Sequence, residues 1–222
     1  MPVLSKAFKT KNFSKVSNIQ NRSIQLSLLV SIPASLGLII ASKEIVSGLF
    51  GYGSFTSEDV EMTSYALKFF GFGVIAFSLI KILSNFFFAR DNTKIPFYVS
   101  SFIVFLNIVI SVSLFSRIGF LIIPIATSIS TWIGVLIFLY LLKKKNLLIL
   151  QKKLFHNMIK IIISSIIMSF ALIFALEMYS SNLDYTYIYK SIFLLIIVGF
   201  AGIVYLLSCH LLGLLKIKNY KA

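Results

Sequence analysis

Six long, charge-poor apolar runs dominate the chain, and the polar segments around them alternate in charge. The runs fall at about 24 to 45, 63 to 89, 95 to 116, 119 to 142, 157 to 177 and 190 to 215, each near or above the roughly 20 residues that cross hydrocarbon as a helix. The segment before the first run and those after the second, fourth and sixth hold sixteen Lys or Arg residues, against three in the other gaps, with Lys68 and Lys81 inside the second run. The acids follow the opposite rule: Glu44, Glu58, Asp59, Glu61, Glu177 and Asp184 lie in the cation-poor gaps, and only Asp91 lies in a basic one. Cationic loops stay on the cytoplasmic side of a membrane. The pattern therefore predicts an all-α, polytopic membrane protein with six transmembrane helices and both termini cytoplasmic.

Composition agrees. A chain of 222 residues that is 58% hydrophobic, with mean hydropathy +0.95, carries too much apolar surface for one water-soluble core. Membrane strands would be roughly 10 residues long and strictly alternating, whereas the run from Ile118 to Leu142 is continuously apolar. In lipid, such a run satisfies its own backbone only as a helix. The net charge of +14 does not point to nucleic acid, because the basic residues sit in short segments beside apolar runs. Anionic membrane lipids are the expected partner. Lys143, Lys144, Lys145, Lys152, Lys153 and Lys160 form the densest cluster and read as a linker along the bilayer surface, with ordinary topology determination as its plainest role. No cleavable signal peptide is recognisable before the run that begins at Ile24, and a bacterial inner membrane is the expected location.

Polar residues inside the runs narrow the function. In the second, Gly71, Val74, Ser78, Lys81 and Asn85 recur at spacings of three and four and share one helical face. A small and polar stripe of this kind suggests an interior face. The third carries Ser100, Asn107 and Ser111 on one face, and the fourth has Ala126, Ser130 and Gly134 at the small-xxx-small spacing that lets helices pack closely. Pro33 and Pro124 lie within the first and fourth runs, where proline can bend a membrane helix. The loop before the second run holds Gly48, Gly51 and Gly53, and Thr56 is placed to cap a helix whose first turn contains Glu58 and Asp59.

Lys81 is the sharpest of these signals. It lies nine residues before Arg90, about 13 Å along a helix, where a charge costs a few kcal/mol or more unless it meets water, a counter-ion or an anionic ligand. Snorkelling along its own stem is the plainer alternative, and it is the better reading for Lys68 near the outer end. Catalytic and metal-binding patterns are missing: His156 and His210 belong to no metal motif, and Gly51-Tyr52-Gly53 is followed by no GKS or GKT. Cys209 is alone. No catalytic residue, metal or cofactor is expected, and the chain does not read as an enzyme.

Specific strings then become recognisable. Leu49-Phe50-Gly51-Tyr52-Gly53-Ser54-Phe55-Thr56-Ser57-Glu58-Asp59 resembles the signature loop of the MurJ (MviN) family of lipid II flippases. Lys81-Ile82-Leu83, Phe87-Phe88-Ala89-Arg90-Asp91-Asn92-Thr93-Lys94-Ile95-Pro96, Asn107, Gly119 and Ala126-Thr127-Ser128-Ile129-Ser130-Thr131-Trp132 continue the match in register. The family's fold has fourteen membrane helices, two six-helix lobes followed by an extra pair. The resemblance implies that this chain holds helices nine to fourteen: part of the second lobe of a MurJ/MATE-like transporter, then the extra pair. The implied organisation is a basic cytoplasmic segment at 1–23, four helices of the lobe at 24–142, a basic linker at 143–156, the appended pair at 157–215 and a tail at 216–222. The implied function is movement of undecaprenyl-pyrophosphate-linked peptidoglycan precursor across the inner membrane by alternating access. Lys81, Ser78, Asn85 and Asn107 are the implied substrate-binding residues, a missing N-terminal half is the implied partner, and the chain alone is expected to be inactive. The alternatives are a piece of a related multidrug or polysaccharide exporter, or a non-transporting membrane remnant.

Overall fold

The structure, a computed structural model, describes residues 13–214. Within them the chain forms seven α-helices and no strand: α1 (Phe13–Ile40), α2 (Ser42–Phe50), α3 (Ser57–Phe88), α4 (Lys94–Ile118), α5 (Ile122–Lys144), α6 (Lys152–Met178) and α7 (Lys190–Leu211). Five stretches are long and apolar enough to span a membrane, and one of them, Lys94–Lys144, runs for 51 residues. That stretch folds back on itself at Gly119–Leu121 into α4 and α5, so six helices of spanning length result. Gly119 makes the reversal with φ 71°, a left-handed conformation that costs glycine little.

The first apolar run differs from its expected extent. Helix α1 begins well before Ile24, and a break at Ala41 separates it from the short α2, which carries Lys43 and Glu44. The early start follows from polar residues on one face of α1 that find partners in the α5–α6 linker, described below. Helix α1 continues through Pro33. Pro124 lies in the first turn of α5, where the missing N–H has no intrahelical bond to forfeit.

The chain divides into two compact units, one containing the residues up to Ser31 with Phe69–Leu154, the other Ile32–Lys68 with the residues from Phe155 onward. In the first unit, α3 and α5 pack along small residues. Ser128 Oγ donates to Phe69 O at 2.8 Å and Trp132 Nε1 to Phe72 O at 3.0 Å. Ala126 and Ser130 are fully buried, and a Cβ on Gly134 would sit 2.2 Å from Ile103 Cδ1 and 3.1 Å from Ile80 Cδ1. The small-residue stripe is thus a packing seam. Phe87 and Phe138, both wholly buried, meet at 5.8 Å between ring centroids. In the second unit Ile161 and Leu172 of α6 and Ile197 and Ala201 of α7 are buried. Lys160 Nζ donates to Leu212 O at 2.9 Å, satisfying a carbonyl at the negative end of α7. Lys160 therefore caps a helix, apart from the rest of the linker cluster.

Outward faces are apolar, as lipid-facing surfaces must be: Phe97, Phe105, Val112, Phe170, Leu195 and Ile196 are all more than half exposed. Helix ends are closed by local backbone devices. At the end of α3, Asp91 adopts φ 57°, its N–H donating to Phe88 O and that of Asn92 to Phe87 O. Asn146 closes α5 in the same way, with φ 53° and bonds from Asn146 and Leu147 to Lys143 O and Leu142 O. Asp and Asn tolerate this left-handed cap better than most residues. Asp91, the one acid in a basic gap of the sequence, thus serves as the cap of α3.

Candidate functional site

Three of the four residues singled out in the sequence lie on the C-terminal part of α3, on the stripe begun by Gly71. Gly71 is buried, Val74, Ser78 and Asn85 are half-buried, and Lys81 is exposed. Ser78 Oγ pairs with Ser27 Oγ of α1 at 2.6 Å, so this side of α3 packs on α1. Lys81 faces out beside the exposed Phe77 and Phe88. Among the described residues its ammonium has no hydrogen-bond or ion-pair partner. Asn107 stands apart from the other three. Its Nδ2 donates to Thr127 Oγ1 at 2.8 Å, and its Oδ1 accepts from Ser111 Oγ at 3.4 Å, so its amide joins α4 to α5.

Around the Leu49–Asp59 loop, in the second unit, a cradle forms that sequence reasoning did not reach. Lys190, counted in the sequence as an outer loop cation, is 1% exposed. Its ammonium donates to Gly51 O at 2.7 Å and Tyr185 O at 2.6 Å and stands 4.5 and 4.4 Å from the ring centres of Tyr52 and Tyr185. Each contact favours a cation. Tyr52 Oη bonds Ser191 Oγ at 2.5 Å, Ser191 Oγ lies 2.7 Å from Gly48 O, and Tyr185 Oη donates to Phe55 O. Glycine is required at 51 because a Cβ there would approach Ser47 O at 2.6 Å and Lys190 Nζ at 3.1 Å. The loop ends as its sequence predicts: Asp59 N–H donates to Thr56 Oγ1 at 3.2 Å, while Asp59 Oδ2 accepts from Thr56 N at 2.9 Å and Thr56 Oγ1 at 2.7 Å. This is a capping box with aspartate in the usual place of glutamate.

A strap occupies the opposite kind of segment, the basic linker. Asn21 Nδ2 donates to Ile149 O at 2.7 Å and Gln20 Nε2 to Leu147 O at 3.0 Å, while Asn21 Oδ1 accepts from Gln151 N at 3.0 Å. Gln151 Nε2 reaches Asn18 Oδ1 at 2.8 Å and Ser17 Oγ at 3.2 Å. The linker is thus held to α1 through its own backbone, leaving Lys143, Lys144, Lys145, Lys152 and Lys153 exposed. Its signal was in the sequence as Ser17, Gln20 and Asn21 at helical spacing, but an amide names no partner.

The family model for lipid II flippase MurJ matches residues 1–198. The chain belongs to the MurJ family. A relative from Buchnera aphidicola subsp. Schizaphis graminum, named a probable lipid II flippase MurJ, is 31% identical over 96% of this chain and 41% of its own length. One of the same name from Thermotoga maritima is 33% identical over 88% of the chain and 38% of the relative. A solved lipid II flippase MurJ in an inward closed conformation superposes with a TM-score of 0.75 at 27% identity, over 95% of this chain and 41% of that one. The chain thus spans about two fifths of the length of the MurJ proteins it matches. The family is one of membrane transporters, and the resemblance read from the signature loop and the Lys81–Pro96 segment is borne out.

Proposed function

We propose that this chain acts as the C-terminal part of a lipid II flippase, moving undecaprenyl-pyrophosphate-linked peptidoglycan precursor across the bacterial inner membrane, with both termini cytoplasmic and no bond-making chemistry of its own. The observation that carries the reading is Lys81: an exposed cation, without a partner among the described residues, in an apolar helix of a MurJ-family chain. A fixed cation at membrane depth is costly without a counter-charge, and a pyrophosphate carried through on a lipid supplies one transiently. Ser78 and Asn85, on the same stripe, offer hydrogen bonds beside it, and Asn107 contributes through the α4–α5 pair. In this reading the four helices of 24–142 carry the cargo-facing surface, the appended pair at 157–215 secures the outer loop, and the strapped linker presents its lysines to anionic lipid headgroups. Alternating access needs two lobes, so the working unit includes the part of the relatives that this chain does not span.

Complementation tests the reading. The chain is expressed together with the remaining part of a MurJ relative in cells depleted of their own flippase. Growth and precursor translocation are expected from the pair, and Lys81→Ala should abolish both. A pair that accumulates in the membrane yet restores neither would refute it.

A further inference from the structure

We infer that the loop between α6 and α7, with the end of α2 bonded to it, is a lipid-binding surface that lies in the headgroup region of the bilayer, where Leu49, Phe50, Ile188 and Tyr189 dip into the leaflet at which α7 starts. Helix α7 has 22 residues, about 33 Å at the helical rise, against about 30 Å of hydrocarbon. Its first residue therefore stands at the hydrocarbon boundary, and the residues just before it stand among headgroups. That this leaflet is the outer one rests on the topology of the proposed function; the immersion itself does not.

The exposed side chains here continue a lipid-facing surface. Ile188, Ile192 and Leu195 are all more than half exposed and follow one another at spacings of four and three, so the apolar stripe of α7 runs past the start of the helix into the loop. Tyr189 beside it is exposed as well, and tyrosine, with an apolar ring and a polar tip, is enriched at this level of a membrane. Tyr52 Oη, bonded to Ser191 Oγ at 2.5 Å, brings the end of α2 to the same place, with Leu49 and Phe50 both more than half exposed. The other side of the loop differs: Ser180 and Asp184 line a polar cavity with Glu58 and Glu61. A loop that is wet on one side and apolar on the other fits a bilayer surface.

The backbone of the loop supports the same placement. Away from bulk water an unbonded carbonyl is costly, and here the main chain bonds itself: Asn182 N–H donates to Tyr179 O at 3.0 Å, Leu183 N–H to Ser180 O at 3.1 Å and Tyr187 N–H to Asp184 O at 3.0 Å. The Lys190 ammonium takes up Gly51 O and Tyr185 O, and Tyr185 Oη donates to Phe55 O. In bulk water these carbonyls would be bonded by solvent, and burying an ammonium to reach them would gain little. Among headgroups, where water is scarcer, the cradle closes the backbone of a loop that lies against lipid. Glu58, Glu61 and Asp184 give it no attraction for anionic headgroups, so apolar and aromatic burial carries the contact.

Nitroxide depth measurement tests this on the whole chain in lipid vesicles. The parent, whose single cysteine Cys209 is buried, serves as the blank. A spin label is attached to Ile188→Cys, with Leu195→Cys as the lipid-facing reference and Ser180→Cys, on the cavity side, as the aqueous one, and collisions with oxygen and with a water-soluble nickel chelate are compared. The label at 188 is expected about 5–10 Å below the phosphates, the depth of an interfacial apolar face, with oxygen favoured over nickel as at 195, and at the same depth in phosphatidylcholine vesicles with and without phosphatidylglycerol. Nickel access equal to that at 180 would overturn the proposal, as would a label shielded from both reagents, which would mean that protein covers the surface, or a depth that disappears without the anionic lipid. Should the labelled variants fail to fold, a lipid-borne photoactivated carbene on the unaltered chain asks the same question: adducts in the peptide carrying Ile188 and Tyr189 are expected, and their absence while the apolar length of α7 is labelled would overturn it. Neither measurement reads transport or distinguishes the leaflets, so failure here leaves the proposed function standing, and failure of that function leaves the depth unchanged.

Discussion

Lys81 and Lys190 are both lysines of long apolar helices, and the structure treats them in opposite ways. Lys190, at the start of α7, is 1% exposed with two carbonyls and two aromatic faces around its ammonium. Lys81, most of the way along α3, is exposed and meets no partner among the described residues. Burying a charge costs several kcal/mol, and Lys190 is tolerable only because every direction around it offers a compensating dipole or ring. Lys81 has no such compensation, so its charge contributes nothing visible to the fold. A satisfied cation holds structure; an unsatisfied one in an apolar setting is available to a ligand.

The contrast breaks first at Lys190. Lys190→Met keeps the volume but leaves Gly51 O and Tyr185 O without their donor, and we expect a loss of about 3 kcal/mol or more, read as a lower thermal midpoint in detergent and as proteolysis of the Leu49–Asp59 loop. Asn21→Ala should follow, at about 2 kcal/mol, because three hydrogen bonds to Ser17, Ile149 and Gln151 are lost together; faster hydrogen exchange across residues 147–151 reports it. Thr56→Ala should cost about 1 kcal/mol, the usual value of an N-cap, and should loosen the start of α3 without changing the rest of the helix. Lys81→Ala completes the series with the smallest effect on stability, within about 0.5 kcal/mol of the parent, as for substitutions that leave no group unsatisfied. A destabilisation at Lys81 matching that at Lys190 would erase the distinction.

Much of the architecture was legible because hydropathy and charge act over long stretches. Six apolar runs gave six helices of spanning length, the Ala126–Ser130–Gly134 spacing gave the α5 packing seam, and Thr56 with Asp59 gave the cap of α3. The break at Ala41 was not legible, since Ser42, Lys43 and Glu44 after it are as compatible with a continuing helix as with a new one. Nor was the role of Lys190. Its partners are backbone carbonyls of Gly51 and Tyr185, and carbonyls are the same at every position of a sequence. The same holds for the linker strap, in which Gln20 and Asn21 bond the main chain of Leu147 and Ile149. Of the candidate site, Ser78 and Asn85 are half-buried, Ser78 against α1, while Lys81 on the same stripe faces out. The commitment of Asn107 to Thr127 depended on how α4 folds back on α5, which Gly119 permits but does not announce.

The role assigned to Lys81 is most directly tested by the affinity of the purified chain for undecaprenyl pyrophosphate in uncharged detergent, comparing the parent with Lys81→Ala and Lys81→Arg. Retained stability with binding at least about tenfold weaker in Lys81→Ala, a difference of about 1.4 kcal/mol, and largely restored in Lys81→Arg, is the predicted result. Equal affinity in parent and Lys81→Ala would contradict it, and would return Lys81 to a lysine that merely reaches for the membrane surface.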